Sequence, residues 1–391
     1  MSGTIETLIE NMLGNMSRPF PATWKKKAMD HMWEKYRPDM IEDFVRHYCV
    51  GLPDDQDEGN LNIAMDTIED LHKEGYLVTL DTLGEKSKTL DDIKNKIQIY
   101  VNMAILAEER GFFRPTENAI AAGMMFPYAH GLSFSAKPST FTLHDENDKR
   151  ILGSNKPLIN FLHLFTERGH RHFSLDFDME EDYWVDDTVQ IFSGIKRIRE
   201  NIDIVHQTNL DRTEDDLKKY IEDGVKDLGV RLCIGIYDIN NKKEWSEQSL
   251  MDYHTSRISR IGTMNKRERK TRLIEYAKNL AKEGVYVKIA THDTDVIEHM
   301  AEWFNKKGIS KEMYEFQALY NVKPKGLDDM HKQLMGDGTR VRIYLPFAPT
   351  LDDAVYYGIR RACKNHQLLG TFAVGAMKYY AKKILSLGMA K

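Results

Sequence analysis

Cysteine is scarce in this chain of 391 residues. Its three cysteines, Cys49, Cys233 and Cys363, lie far apart and fit neither a metal-binding nor a disulfide spacing. Cysteines without such a pattern are typical of a reducing compartment, so we expect a cytoplasmic protein. The chain also lacks any run of the roughly 20 apolar residues that a membrane-spanning helix requires. The opening sequence MSGTIETLIENMLGN is acidic and has no continuous apolar core, so we do not expect it to act as a targeting signal.

Positive charge is not in excess either. The net charge is −5, which argues against nucleic acid as the main partner. No G-x-G-x-x-G sequence connects a predicted strand to a helix, so the phosphate-binding signature of dinucleotide-binding open sheets is missing. Hydrophobic residues make up 41% of the chain and charged residues 29%, which is typical of a globular protein with a large core.

The first 74 residues are helical in character. Apolar residues recur at helical spacing in 5–12, 29–36 and 63–72, and prolines divide the region. We therefore predict an N-terminal helical segment over residues 1–74 and one larger domain over residues 75–391.

From residue 75 onward, short apolar strands alternate with long charged helices. The predicted strands cover residues 76–85, 132–140, 172–180, 202–209, 230–238, 285–293, 313–321 and 339–347. The predicted helices cover residues 90–111, 156–169, 186–200, 213–227, 265–283, 294–307, 326–335 and 352–385. Eight strands, each followed by a helix, predict an α/β fold: a distorted (β/α)8 barrel of the TIM type. An open doubly wound sheet is the alternative, which the missing glycine signature disfavours.

Polar side chains stand at the carboxyl end of nearly every predicted strand. In a barrel of this kind the active site lies at that end. The candidates are Asp81, Glu85, Lys137, Asp178, Glu180, Gln207, Arg231, Tyr237, Thr291, His292, Gln317 and Tyr344. A histidine in such a loop can bind a metal or act as a base, but it is more often a hydrogen-bond donor.

Charged residues on two of these predicted strands indicate the charge of the ligand. Asp176, Asp178 and Glu180 share one strand face, which a divalent cation could use. The other strand ends carry several cations, so an anionic ligand with an acidic counter-group fits better, and we predict no metal. Lys137 lies on the polar face of its strand and suits a carboxylate, although a lysine that only extends to solvent is the plain alternative.

The last predicted strand and helix carry an unusual set of arginines. In RVRIYLPF (340–347), Arg340, Arg342 and Tyr344 form one face, which is unlike an ordinary core face. The helix that follows carries Arg360 and Arg361, and a guanidinium group suits bidentate capture of a carboxylate. A solvated helix face is the alternative for this pair alone.

Taken together, these motifs resemble the flavin-dependent proline dehydrogenase family. They are LDTLGE (80–85), FSAKPS (134–139), DMEED (178–182), HQT (206–208), RLCIGIY (231–237), ATHD (290–293), YEFQALY (314–320), YLPF (344–347) and the Y-x-x-R-R sequence at 357–361. Each motif alone is weak, but they follow one another in the family's order, with one motif for each predicted strand.

The resemblance implies specific roles for these residues. It assigns Asp178 and Arg231 to catalysis. It assigns substrate contacts to Glu85, Lys137, Tyr237, Leu319, Tyr344, Tyr357, Arg360 and Arg361. It assigns flavin contacts to Met179, Gln207, Arg231, Gly235, Thr291, His292 and Gln317.

The implied reaction is the oxidation of L-proline to 1-pyrroline-5-carboxylate. FAD would be the cofactor, its N5 would take a hydride from the carbon next to nitrogen, and the electrons would pass to a quinone. Ile234, Ile236, Asn209 and Lys364 depart from the family's pattern. Two alternatives therefore stay open: a flavin dehydrogenase of a related cyclic amino acid such as hydroxyproline, and an inactive barrel that serves as a binding module.

The C-terminal sequence KYYAKKILSLGMAK (378–391) is a basic, amphipathic helix. Such a helix can make peripheral contact with a membrane surface, or it can pack onto the barrel or the N-terminal helices. The sequence leaves the oligomeric state open.

Overall fold

The computed structural model describes residues 45–52, 60–112, 131–146, 150–151, 153–167, 174–180, 184–199, 201–225, 227–235, 266–354 and 357. Residues 49–350 form one compact unit, and residues 1–48 together with 351–391 form a second. The predicted division at residue 74 stays a prediction, because most of the N-terminal segment lies outside the described residues.

Eight parallel strands close into a barrel in which each strand pairs with its neighbours in chain order, and the last strand pairs with the first. The strands are β1 (Leu77–Thr82), β2 (Leu132–Ala136), β3 (Ser174–Phe177), β4 (Ile202–Gln207), β5 (Gly229–Cys233), β6 (Tyr286–Ala290), β7 (Tyr314–Leu319) and β8 (Arg340–Phe347). The prediction of a (β/α)8 barrel is confirmed.

Helices separate the strands along the chain. The helices are α1 (Leu61–Lys73), which precedes β1, then α2 (Leu90–Glu109), α3 (Lys156–Glu167), α4 (Val185–Lys196), α5 (Thr213–Glu222), α6 (Lys266–Lys282), α7 (Thr294–Lys307) and α8 (Leu327–Gly336). The predicted helix at 352–385 lies largely outside the described residues. Within the described part of the chain, no helix is both long and apolar enough to cross a membrane.

Sequence chemistry explains where several elements begin and end. Thr89 and Asp92 form a capping box that starts α2. Asp293 caps the first turn of α7, and Gly308 ends that helix in a left-handed conformation, so α7 spans the predicted residues 294–307. The second predicted strand runs past its true end, because Pro138 opens a 3-10 turn directly after β2.

The strands divide their side chains between two environments. Outward residues are apolar and meet the helices: Phe134 of β2, for example, packs edge-on against Phe165 of α3. Inward residues are largely polar, and the hydroxyls of Thr79 and Ser133 lie 2.6 Å apart inside the barrel. The predicted polar face of β8 follows this rule, since Arg342 is buried there and pairs with Glu315.

Candidate active site

The carboxyl ends of the strands bring four predicted residues into one buried group. Lys137 follows β2, Asp178 follows β3, Arg231 lies in β5 and Tyr344 in β8. Lys137, Asp178 and Arg231 are buried, and Tyr344 is half-buried. A charged group at this end of a barrel lies where substrates reach TIM-type enzymes.

Asp178 holds the centre of this group. One carboxylate oxygen pairs with the Arg231 guanidinium, and the other accepts a hydrogen bond from the Tyr344 hydroxyl at 2.8 Å. The Arg231 guanidinium carbon also lies 4.9 Å from the centre of the Tyr344 ring, which favours a cation there. The guanidinium is thus fixed from two directions.

Lys137 has a different main partner. Its ammonium group donates to both oxygens of Asp81 on β1, with the longer of these contacts at 2.5 Å. It lies farther from Asp178, at 3.9 Å. Asp81 therefore neutralises Lys137, while Asp178 remains within reach of both cations.

Two glutamines at the mouth have fixed amide orientations. Gln207 donates from Nε2 to the Glu180 carbonyl at 2.8 Å, and the Glu180 side chain accepts from Ser139. Gln317 donates from Nε2 to Glu315 at 2.6 Å. Its Oε1 is buried and has no hydrogen-bond partner among the described residues. A buried carbonyl of this kind calls for a donor that the described residues do not supply.

Glu315 anchors Gln317 from below. Its carboxylate also accepts from Arg342 Nε at 2.7 Å and from the Tyr286 hydroxyl at 2.8 Å. Burial alone would raise the pKa of Glu315, but Arg342, Lys288 and Gln317 together outweigh burial and lower that pKa to about 2. The carboxylate is therefore ionised and accepts from all of its donors.

The ends of β6 and β7 are joined by His292. The Leu319 backbone N–H donates to His292 Nε2 at 2.9 Å, so this nitrogen accepts where the sequence suggested a donor. The neighbouring Thr291 hydroxyl accepts from the Asp293 backbone N–H at 3.1 Å and shapes the turn into α7. The histidine thus holds the backbone of β7 in place at Leu319.

Gly235 lies where the chain leaves β5, with a φ of +93°. A Cβ at this position would come within 2.2 Å of Asn209 Oδ1. Only glycine fits both this backbone conformation and this close approach. Asn209 Oδ1 is itself buried without a hydrogen-bond partner among the described residues, so a second free acceptor lies near the end of β4.

The structure describes only some of the remaining predicted site residues. Tyr237, Arg360 and Arg361 lie outside the described residues. Glu85 is half-buried in the loop after β1, Met179 is buried next to Asp178, and Tyr357 is buried in the second compact unit. Their assigned roles stay predictions.

Part of the charged interior was not predicted from the sequence. The pairing of Asp81 with Lys137 was not foreseen, and Lys288 and Glu315 were assigned no role. The signal was present, since a charged residue between apolar neighbours interrupts both YVKIA and YEFQAL. In a strand whose outward side chains are apolar, such a residue must point into the barrel.

A profile of the proline dehydrogenase family matches residues 64–372. The chain belongs to the proline dehydrogenase family. The match spans all eight strands of the barrel. The predicted resemblance is confirmed.

Individual relatives agree with this family assignment. "Proline dehydrogenase 2" of Bacillus subtilis (strain 168) is 27% identical over 309 residues, which cover 78% of this chain and 84% of that protein. "Proline dehydrogenase" of Deinococcus radiodurans is 41% identical over 66 residues, which cover 17% of this chain and 20% of that protein.

Solved structures support the fold. Proline utilization A (PutA) from Bdellovibrio bacteriovorus, inactivated by N-propargylglycine, matches with a TM-score of 0.63 and 20% identity over 82% of this chain. PutA from Corynebacterium freiburgense matches with a TM-score of 0.58 and 15% identity over 92% of this chain. The match covers only 32% and 35% of those longer chains, so the likeness shows the barrel fold alone.

Proposed function

We propose that this protein oxidises L-proline to 1-pyrroline-5-carboxylate with FAD as its cofactor and a quinone as the electron acceptor. The observation that carries the proposal is the buried group of Lys137, Asp178, Arg231 and Tyr344 in a barrel of the proline dehydrogenase family. It combines fixed cations, which suit a carboxylate and a developing negative charge, with an aromatic wall.

The residues at the barrel mouth fit a flavin. An oxidised isoalloxazine ring has several acceptors and one ring N–H, and the mouth offers the Arg231 guanidinium as a donor and the free Gln317 Oε1 as an acceptor. We propose that Met179, Gln207, Gly235, Thr291 and His292 complete the cofactor site. When bound, the flavin supplies the hydride acceptor.

Substrate binding follows from charge. Lys137, with Arg360 and Arg361 of the Y-x-x-R-R sequence, would hold the proline carboxylate, because cations fixed in a water-poor pocket bind it more strongly than in water. Glu85 would brace one of these arginines. Tyr237, Leu319, Tyr344 and Tyr357 would form the wall around the ring.

Arg231 and Asp178 have the catalytic roles in this proposal. The guanidinium stabilises the negative charge that develops on the cofactor side of the pocket. Asp178 keeps the guanidinium in place through their ion pair, and the Tyr344 hydroxyl fixes Asp178 in turn. Asp178 accepts from both partners in this arrangement.

The absorption spectrum of the purified protein tests this function. We expect a yellow protein whose flavin bands bleach when L-proline is added without oxygen, and a slower response to hydroxyproline, because Tyr344 would crowd a ring hydroxyl. A protein that binds no flavin would contradict the proposal and favour an inactive barrel. Faster bleaching by hydroxyproline would favour a related cyclic amino acid as the substrate.

A further inference from the structure

Lys288 of β6 lies inside the barrel and is 2% exposed. Its ammonium group lies 2.5 Å from Asp176 Oδ1 and 2.7 Å from Asp203 Oδ2. Burial alone would lower the pKa of Lys288, but the carboxylates of Asp176 and Asp203 outweigh burial and raise it above its ordinary value. Lys288 is therefore a charged group with two fixed carboxylate partners.

Arg231 stands between two carboxylates at different depths. Its Nη2 pairs closely with Asp178 at the mouth, whereas its Nη1 lies 3.5 Å from Asp176 Oδ2 deeper in the barrel. Asp176 is completely buried, so it needs a cation nearby. Among the described residues, Lys288 and Arg231 are the cations that pair with it, and Lys288 is the closer.

We propose that Lys288 is a positioning residue that keeps the Arg231 guanidinium at the barrel mouth by neutralising Asp176. Without Lys288, the buried Asp176 would compete with Asp178 for Arg231, because among the described residues Arg231 is the other cation that pairs with Asp176. The guanidinium would then move inward. This inference rests on the proposed function, in which Arg231 faces the flavin.

The midpoint potential of the bound flavin reports the position of Arg231. A cation beside the ring stabilises the reduced, anionic form, so its withdrawal lowers the potential. In K288M we expect the stabilisation of the reduced flavin to fall tenfold. This lowers the midpoint potential by about 30 mV for a two-electron couple. We also expect the rate of flavin reduction at saturating L-proline to fall at least tenfold, with little change in KM.

A second substitution separates positioning from simple structural support. In K288M/D176N the competing carboxylate is gone, so Arg231 returns to Asp178, and both potential and rate recover toward wild type. K288Q, which keeps a hydrogen-bond donor but no charge, should lower the potential as K288M does. K196M is the matched control, because Lys196 is also buried and contacts Asp203, but its ammonium group donates to the backbone carbonyls of Ile202 and Asp227.

The outcomes are distinct. A wild-type potential in both K288M and K288Q overturns the inference. The inference is also overturned if K288M/D176N has the same potential and reduction rate as K288M, because Lys288 would then have only a structural role. If the wild-type flavin is not reduced by L-proline, the proposed function fails, while the potential, measured with dye mediators, still decides the role of Lys288.

Discussion

At the scale of single residues, the candidate site depends on charges that neutralise one another in pairs. Asp81 forms an ion pair with Lys137, and Asp178 forms one with Arg231. Each cation would be costly to bury alone, because an isolated charge loses its hydration without compensation. Pairing offsets this cost and holds both cations in place at the barrel mouth. The Tyr344 hydroxyl adds a neutral contact to this arrangement.

Replacing Tyr344 with phenylalanine tests that contact. Y344F keeps the ring beside Arg231 but removes the 2.8 Å hydrogen bond to Asp178. A hydrogen bond to a charged group contributes about 1.5–3 kcal/mol, so we expect the rate of flavin reduction by L-proline to fall roughly tenfold or more. Stopped-flow absorbance measures this rate. In a D178N background, Y344F should have little further effect, and an additive loss would show that Tyr344 acts independently of Asp178.

At the scale of elements, β7 and β8 are joined by more than backbone hydrogen bonds. Glu315 of β7 pairs with Arg342 of β8, and Arg342 also donates to the Val78 carbonyl of β1 at 2.9 Å. This pair therefore links three adjacent strands where the last strand closes the barrel against the first. It also fixes the amide of Gln317, so barrel closure and the shape of the site depend on the same carboxylate.

The acid stability of the protein tests the role of Glu315. Its folded pKa of about 2 lies below the ordinary value of 4.5, so its contribution is complete above pH 4.5 and is lost as the pH falls toward 2. Between pH 6 and pH 3, the wild type should lose about 2 kcal/mol more unfolding free energy than E315Q. Urea unfolding at the two pH values measures this difference. E283Q, which changes an exposed glutamate, is the control substitution.

At the scale of the whole molecule, the barrel was predictable from the sequence, because strands that alternate with helices are compatible with few folds. The start of α7 and its end at Gly308 were also predictable, because capping residues mark both. The strand ends were not, since polar residues at the mouth continue the alternation after the strand has ended, as after β2. The pairing of interior charges was harder still, because it depends on which side chains meet across the barrel and not on neighbours in sequence.

The stability of the whole fold at mildly acidic pH depends on histidines buried outside the site. His206 is fully buried, and burial lowers its pKa to about 4 from the ordinary 6.5. Asp216 raises this pKa and Arg212 lowers it, each by less than burial does. The unfolded chain therefore binds a proton that the folded chain excludes, and stability is lost as the pH falls from 6.5 toward 4. At pH 5 this loss is about 2 kcal/mol.

The variant H206Q removes this proton linkage while keeping a polar side chain beside Tyr220. Between pH 7 and pH 5, its unfolding free energy should therefore fall about 2 kcal/mol less than that of the wild type. Urea unfolding followed by circular dichroism measures both slopes. H299Q, which changes an exposed histidine of α7, is the control substitution. Equal slopes in H206Q and the wild type would show that His206 accepts a proton within the folded barrel.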